Sequence, residues 1–246
     1  MIDPPGHCTH LQLTFYFPFH CPLSLNLYCF QISTWQFNFK FNLSEDLYAE
    51  DCINLFERSG IDFGHHFTIG IDPSDFAELL LSSGLVLMDN VTWLTFHSAY
   101  DFAYLLSQLT AVKIPETEKE FLETLKLYFP HIYDIKYLMR VTDSPCGGLQ
   151  KVANRLKVKR VGHQHQAGSD SLLTGQVFFA MYSKYFKVTG LDDVKFSGQI
   201  CGLASTGNQE GNEGFTVKED FEESVLCLEF GQLNSSNVCA SPLRDH

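Results

Sequence analysis

Lys and Arg are scarce in this chain: 17 stand against 29 Asp and Glu over 246 residues, a formal charge of −12 at pH 7. That balance excludes a broad basic platform for nucleic acid, whose phosphate contacts draw on Lys and Arg. The deficit is uneven. Residues 205–246 carry eight acids and two bases and residues 1–33 one acid and no base, which leaves −5 for residues 34–204. Paired cysteines are missing too. Eight cysteines are scattered with no Cys-x-x-Cys among them, so zinc-ligand and disulfide-scaffold readings are both weak. Such usage fits a reducing compartment, the cytoplasm or the nucleus. No basic n-region precedes the apolar head of the chain, and Pro18 and Pro22 break it, which disfavours a secretory leader. A membrane span needs about 20 mostly apolar residues, and Pro, Ser, Asn and His interrupt this stretch. No solenoid repeat is apparent.

What is present is a large apolar inventory. The hydrophobic fraction is 45%, rich in Phe, enough for a sizeable core in one domain with ragged ends. Trp35, Phe37, Phe39 and Phe41 alternate with Gln36, Asn38 and Lys40, the period of a half-buried strand; Trp35 and Trp93 are expected in the core. Ser44 is placed to cap a helix with Tyr48, Cys52, Leu55 and Phe56 on one face and Gly60 as its stop. Asp72-Pro73 reads as an N-cap followed by Pro at the first helical position, with Gly84 at the far end. Val91 to Phe96 is apolar and β-branched enough for a buried strand, and it leads into a helix bearing Asp101.

Thr117 and Glu120 form a capping box ahead of a helix to Phe129. Ile132 to Asp134 reads as a short strand, followed by a helical Ile135 to Met139. Gly147-Gly148 opens a helix to Leu156. The long final helix runs from Asp170 to Tyr185, with Leu173, Val177, Ala180, Met181 and Tyr185 inward. Alternating strands and helices predict an α/β layered domain. Beyond Ala204 the chain turns polar (TGNQEGNEG), and disorder is expected there; Val225 to Phe230 is an apolar exception, a short strand or a docking motif.

The densest chemistry lies in HQAGSDSLLTG, His165 to Gly175. An imidazole on a loop stands five residues before a carboxylate at a helix start, so both can converge on one point, as a general base beside a metal-held phosphodiester requires. The commoner reading of such a spacing is a surface pair. Likewise Asp101, taken alone, is a helix-start carboxylate worth about 0.3–1 kcal/mol against the dipole. The pairs His163/His165 and His65-His66 lack zinc-helix spacing and read as polar loop residues, the role of His165 apart. Tyr100 and Phe102, beside Asp101, read as core before they read as adenine contacts.

Three further runs change those odds: FHSAYDFAYLL (Phe96 to Leu106), TWQFNFKFNL (Thr34 to Leu43) and DFAELLLSSGLVL (Asp75 to Leu87). Together with the first they resemble the Caf/Pop family, the poly(A)-shortening nuclease subunits of the CCR–Not complex, over Thr34 to Ala204. The resemblance implies a ribonuclease-H-like fold of the DEDD exonuclease class, two divalent metals such as Mg²⁺, a poly(A) tail of mRNA as substrate, and scaffold and partner nuclease subunits of the complex as partners. It implies no membrane, and a cytoplasmic and nuclear location. By motif match, Asp101 is the middle metal-binding carboxylate, Asp170 the late one, and His165 the catalytic His that takes a proton from the attacking water. The chain's net acidity is tolerable in that setting, since metals offset phosphate charge and aromatic side chains grip unpaired bases. Ala99 and Ala103 stand where the family commonly has Gly.

One element of that pattern has no counterpart. The family's first strand carries an Asp-x-Glu pair, and none lies among the 33 residues before Thr34; the one Asp-x-Glu in the chain is Asp220-Phe221-Glu222, in the polar tail. A two-metal site holds its ions roughly 3.5–4 Å apart, and Mg²⁺ demands near-octahedral oxygen ligation, which Asp101 and Asp170 alone are poorly placed to supply twice over. The expectation is a ribonuclease-H-like domain over residues 34–204, truncated at its N-terminal strand, with an atypical segment 1–33, an acidic tail 205–246 and impaired 3′–5′ exoribonuclease activity. The alternatives are a non-catalytic interaction subunit and an incomplete gene model. Leu11 to Phe15 resembles the tail of the family's second strand. The codons for residues such as Phe, Leu, Ser and Pro are pyrimidine-rich, and Cys29-Phe30-Gln31 can be encoded TGT TTT CAG, like the end of an intron. Phe15 to about Gln31 therefore reads as translated intron abutting a true exon near Thr34, against the plainer reading of a variable N-terminus.

Overall fold

A computed structural model describes residues 10–20, 28–46, 48–142, 147–203 and 225–230. Its first two strands, β1 (His10–His20) and β2 (Tyr28–Asn38), pair antiparallel in full register, from His10 opposite Asn38 to His20 opposite Tyr28. The expected boundary at residue 34 therefore falls inside β2, and both strands draw on the Phe15–Gln31 stretch. Trp35 is a correction: it is 57% exposed, and its indole N–H donates to Ser33 Oγ at 2.7 Å. The alternating pattern holds further along, where Phe39 and Phe41 are buried.

Helices then cover the sheet. In α1 (Glu50–Arg58) the start is Ala49 rather than Ser44, which sits in a preceding turn, and Tyr48 stays outside the helix and exposed. The short α2 (Phe63–Ile69) corrects the reading of His65-His66 as loop residues. His66 is buried there with its Nδ1 2.9 Å from the Phe39 carbonyl oxygen. Asp72 caps α3 (Pro73–Ser82) as expected, accepting from the Ser74 N–H. β3 (Val91–Phe96) is buried at all six positions and feeds α4 (Ala99–Thr110). Thr117 caps α5 (Glu118–Tyr128) by accepting from the Glu120 N–H at 3.3 Å, and its hydroxyl donates to the Glu120 carboxylate at 2.8 Å, a side-chain variant of the expected capping box.

After α5 come β4 (His131–Asp134), α6 (Ile135–Arg140), α7 (Leu149–Leu156) and α8 (Ala167–Met181). A π-helical turn over Tyr182–Phe186 extends α8, so the long helix starts three residues earlier than expected and ends in a widened turn.

The sheet has the order β2-β1-β5-β3-β4, where β5 is Val225–Phe230. Both β3–β4 and β1–β5 are parallel, and β3–β5 is antiparallel. The apolar exception in the tail is thus a strand at the centre of the sheet; the rest of the stretch expected to be disordered lies outside the described residues. Successive residues of a strand point to opposite faces, and β3 uses both. Val91 and Trp93 join Phe76, Leu80, Phe102, Leu106 and Phe129 on one side. Leu94 and Phe96 join Leu149, Val152, Leu173, Val177 and Phe178 on the other. Two apolar cores sandwich one sheet, the layered α/β arrangement the alternation of elements predicts. In the first core Trp93 meets Phe129 edge-on, with ring centroids 4.7 Å apart, and Phe102 lies 4.9 Å from Phe129. Phe102 is therefore core, as expected.

Candidate active site

Two turns deliver the acids. β3 ends at Phe96, His97 bends the chain in the left-handed region (φ 58°), and Ser98 starts α4. His165 does the same (φ 62°) two residues before α8. Asp101 and Asp170 each lie in the first turn of the helix that follows, where a carboxylate meets the positive end of the helix dipole. As read from the sequence, His165 lies on a loop and Asp170 at a helix start.

A second carboxylate fixes the first turn from beneath. Asp134, at the end of β4, is fully buried. Its Oδ1 accepts the backbone N–H groups of His97 and Lys136, both at 2.9 Å, and its Oδ2 accepts that of Cys201 at 3.0 Å. The Ser98 N–H also donates to it. Burial pushes its carboxyl above the usual range, and these backbone donors pull it back part of the way. Asp134 thus ties together β4, the turn ahead of Asp101 and the segment that follows Phe196.

Asp170 meets a cation. Arg160 Nη1 donates to Asp170 Oδ1 and, at 3.0 Å, to Ser169 Oγ, while its Nε donates to Gln150 Oε1 at 2.5 Å. Both ends of the ion pair are largely buried. Burial raises the Asp170 carboxyl above its ordinary value; Arg160 opposes this, and so does His165, whose backbone N–H donates to the same carboxylate. The structure therefore brings His165 and Asp170 together. The Gln166 amide ties their loop to the end of α1 through the Ser59 carbonyl at 3.0 Å.

Asp101 borders a cleft of about 600 Å³ lined by Phe39, Lys40, Asp72, Phe76 and Tyr104 among others, and neither His165 nor Asp170 borders it. Ala99 and Ala103 flank Asp101 and are buried. Among the described residues no three His, Cys, Asp or Glu side chains come together as a metal-holding group. With the Asp170 carboxylate engaged by a guanidinium, the donor set does not fit two hard cations that need oxygen ligands. Asp220 and Glu222 lie outside the described residues.

Sequence reasoning passed over Asp134 and Arg160. Asp134 reads from sequence as the end of a strand; its signal is an acid closing an apolar run, next to the N-terminus of a following helix. Arg160 sits in a basic run, KVKR, with nothing local to single it out.

Residues 84–178 match the model of the CAF1 family ribonuclease. The Schizosaccharomyces pombe protein named poly(A) ribonuclease pop2 is 53% identical over 175 residues, which cover 71% of this chain and 52% of that protein. The solved structure of S. pombe Pop2p in its Mg²⁺ and Mn²⁺ bound form aligns with a TM-score of 0.67 at 40% identity, over 79% of this chain and 89% of that one. The chain belongs to the CAF1 ribonuclease family. Its layered sheet is the ribonuclease-H-like fold shared with the Pop2 RNase domain. A second relative, from the structure of the yeast NOT1 MIF4G domain co-crystallised with CAF1, aligns with a TM-score of 0.59 at 30% identity, over 68% of this chain and 66% of that one. This CAF1-family chain spans about half the length of the S. pombe poly(A) ribonuclease pop2.

Proposed function

We propose that this chain is a catalytically impaired 3′–5′ poly(A)-specific exoribonuclease that serves mRNA deadenylation mainly by binding. The observation that carries the impairment is the Arg160–Asp170 ion pair, with no three-donor metal group among the described residues. A guanidinium occupying a carboxylate leaves fewer oxygens for a cation, and a buried pair of this kind is costly to pull apart. The S. pombe relative's Mg²⁺ and Mn²⁺ bound form supports divalent metal as the family's cofactor. His165, whose backbone N–H donates to the Asp170 carboxylate, is in this reading the residue that takes a proton from an attacking water, and here it also orders the loop.

The cleft beside Asp101 supports a place for A-rich RNA. Phe67 and Tyr104 line it, and aromatic faces suit unpaired bases; Glu45, Asp46, Asp72 and Asp101 outnumber Lys40 on the same lining, so the grip on RNA is by stacking rather than by charge. The test is a 5′-labelled, A-tailed RNA incubated with the full chain and Mg²⁺ or Mn²⁺. The expected result is saturable binding with shortening no faster than that of Asp170→Ala. Metal-dependent shortening that Asp170→Ala abolishes would overturn the impairment.

A second reading, an interaction subunit of the CCR–Not complex, has its own observation. Leu87 and Met88, just after α3, and Leu127 on α5 are exposed, and the Leu87 N–H donates to the Tyr128 carbonyl at 2.7 Å, joining the two stretches. Exposed apolar side chains clustered in this way mark partner surfaces. The relative co-crystallised with the NOT1 MIF4G domain supports a scaffold of that kind as the partner; a partner nuclease subunit in the same assembly is a further part of this proposal. A cytoplasmic and nuclear location belongs to the same proposal.

A further inference from the structure

We propose that the tail strand β5 is a removable latch: the groove between β1 and β3 is a strand-acceptor site, and the chain's own Val225–Phe230 fills it in cis. The sheet consists of a hairpin, β1 and β2, and a parallel pair, β3 and β4, and these halves are joined through β5. Every residue of β3 has a partner on β5, from Val91 opposite Phe230 to Phe96 opposite Val225. The seam with β1 is shorter, with Phe15 opposite Leu228 and Tyr16 opposite Glu229. Withdrawing β5 would leave two strand edges in the middle of the sheet, β3 among them, which is buried at all six positions. An edge of that kind is a template for another strand.

The occupant is specified by sequence. VLCLEF is apolar at five of its six positions and has no Pro, and it is set between a polar stretch that contains TGNQEGNEG and another that contains LNSSN. The 21 residues 204–224, at about 3.3–3.6 Å per residue, let the tail reach the groove of its own domain without a second copy. Chain direction adds a consequence. β3 ends at Phe96, one residue before the turn that carries the chain to Asp101, and Phe96 is in register with Val225. The latch therefore braces the strand that presents Asp101. Its one acid, Glu229, registers with Thr92, four residues back, or about 13 Å along a strand at 3.3 Å per residue. The latch completes the sheet and leaves the acid-bearing turn without an added carboxylate.

The test uses the full chain. Antiparallel partners have Cα atoms about 4.5–5.5 Å apart, within the range a disulfide bridges. Leu94→Cys places a thiol opposite the native Cys227, and Thr92→Cys with Glu229→Cys does the same two positions along. Mild oxidation should link each pair within one monomer, mapped by mass spectrometry of a non-reducing digest, and Cys227→Ser should abolish the first link. Failure of both pairs to link, or linkage only between two chains, would overturn the cis latch.

A second measurement asks whether the groove accepts a strand in trans. Leu228→Pro removes a ladder donor from a central strand. A labelled peptide of residues 223–232 should bind this variant saturably and the unaltered chain not at all, with amide exchange across Val91–Phe96 at least tenfold faster in the variant. Unchanged exchange with no peptide binding would sink the proposal.

Discussion

The Asp134 carboxylate accepts the backbone N–H of His97 at 2.9 Å across 37 residues of sequence, and with the neighbouring Ser98 N–H this lets the floor of the sheet set the turn ahead of Asp101. The same side chain accepts from Lys136 and Cys201, so one carboxylate holds three separated segments. Asp134→Ala is expected to destabilise the fold by about 3 kcal/mol or more, because several buried N–H groups lose their acceptor at once and each unsatisfied group costs about 1–3 kcal/mol. Asp134→Asn keeps one acceptor oxygen and turns an amide NH₂ toward other donors, so its loss is smaller but not zero. Urea unfolding of the two variants beside the parent chain checks the order; equal stability of all three would remove Asp134 from this role.

Asp134 also carries a pH signature. Its folded-state carboxyl is raised above the ordinary 3.8, burial being the largest cause. Between 3.8 and that raised value the folded chain keeps a proton that the unfolded chain has lost. Stability from this group is therefore fully present below 3.8 and is lost as pH rises through the folded value. Asp134→Asn should flatten that part of the stability–pH curve. Thermal melts of variant and parent across the acid range measure it; a slope unchanged by the substitution would contradict the assignment.

Much of this is legible in the sequence alone. The capping box at Thr117, the Asp72-Pro73 start of α3 and the buried run Val91 to Phe96 are local signals: each depends on residues within one turn or one strand. Trp35 differs because alternation marks a strand and its faces without saying how far along the strand the core reaches: Phe39 and Phe41 are buried and Trp35 is exposed. Asp134 and Arg160 were invisible for another reason. Their importance lies in partners 37 and 10 residues away, and no short-range pattern encodes such pairings. Val225–Phe230 had strand chemistry in the sequence, but its place at the centre of the sheet is a matter of topology alone.

Arg160 and Asp170 form the pair whose separation tests the site most directly. Burial raises the Asp170 carboxyl, and the Arg160 guanidinium beside it pulls it back most strongly. Arg160→Met leaves a largely buried carboxylate without its counter-charge, and breaking such a pair from one side costs about 3–5 kcal/mol. Adding Asp170→Asn removes the stranded charge and should return a good part of that loss. A double-mutant cycle in chemical denaturation reads the coupling. Additive single losses would mean that the two side chains do not act as a unit.

Gly70 tests how the cleft beside Asp101 is built. It ends α2 at the point where Phe39 bridges Ile71 and the Lys40 N–H donates to the Ile71 carbonyl at 2.9 Å. A Cβ at Gly70 would lie 2.3 Å from the His66 carbonyl oxygen and 2.5 Å from both Lys40 Cα and Lys40 N. All three are backbone atoms, so no side chain can swing aside, and the crossing of the two segments must open. Lys40 lines the cleft, so that opening moves its wall. Gly70→Ala is expected to cost about 2–3 kcal/mol, in the range of an overpacked core site, and to weaken binding of A-tailed RNA at the same time. Gly64→Ala is the control within the same helix: its Cβ would meet the Asp62 carboxylate oxygen at 3.1 Å, a side-chain atom able to shift. Replacing a helical Gly with Ala brings about 0.5–1 kcal/mol, offset here by the crowding of that cap, so its stability should change little. Melting curves and RNA titrations of the two variants decide it, and a Gly70→Ala chain as stable as the Gly64→Ala chain would mean that the crossing is looser than these distances require.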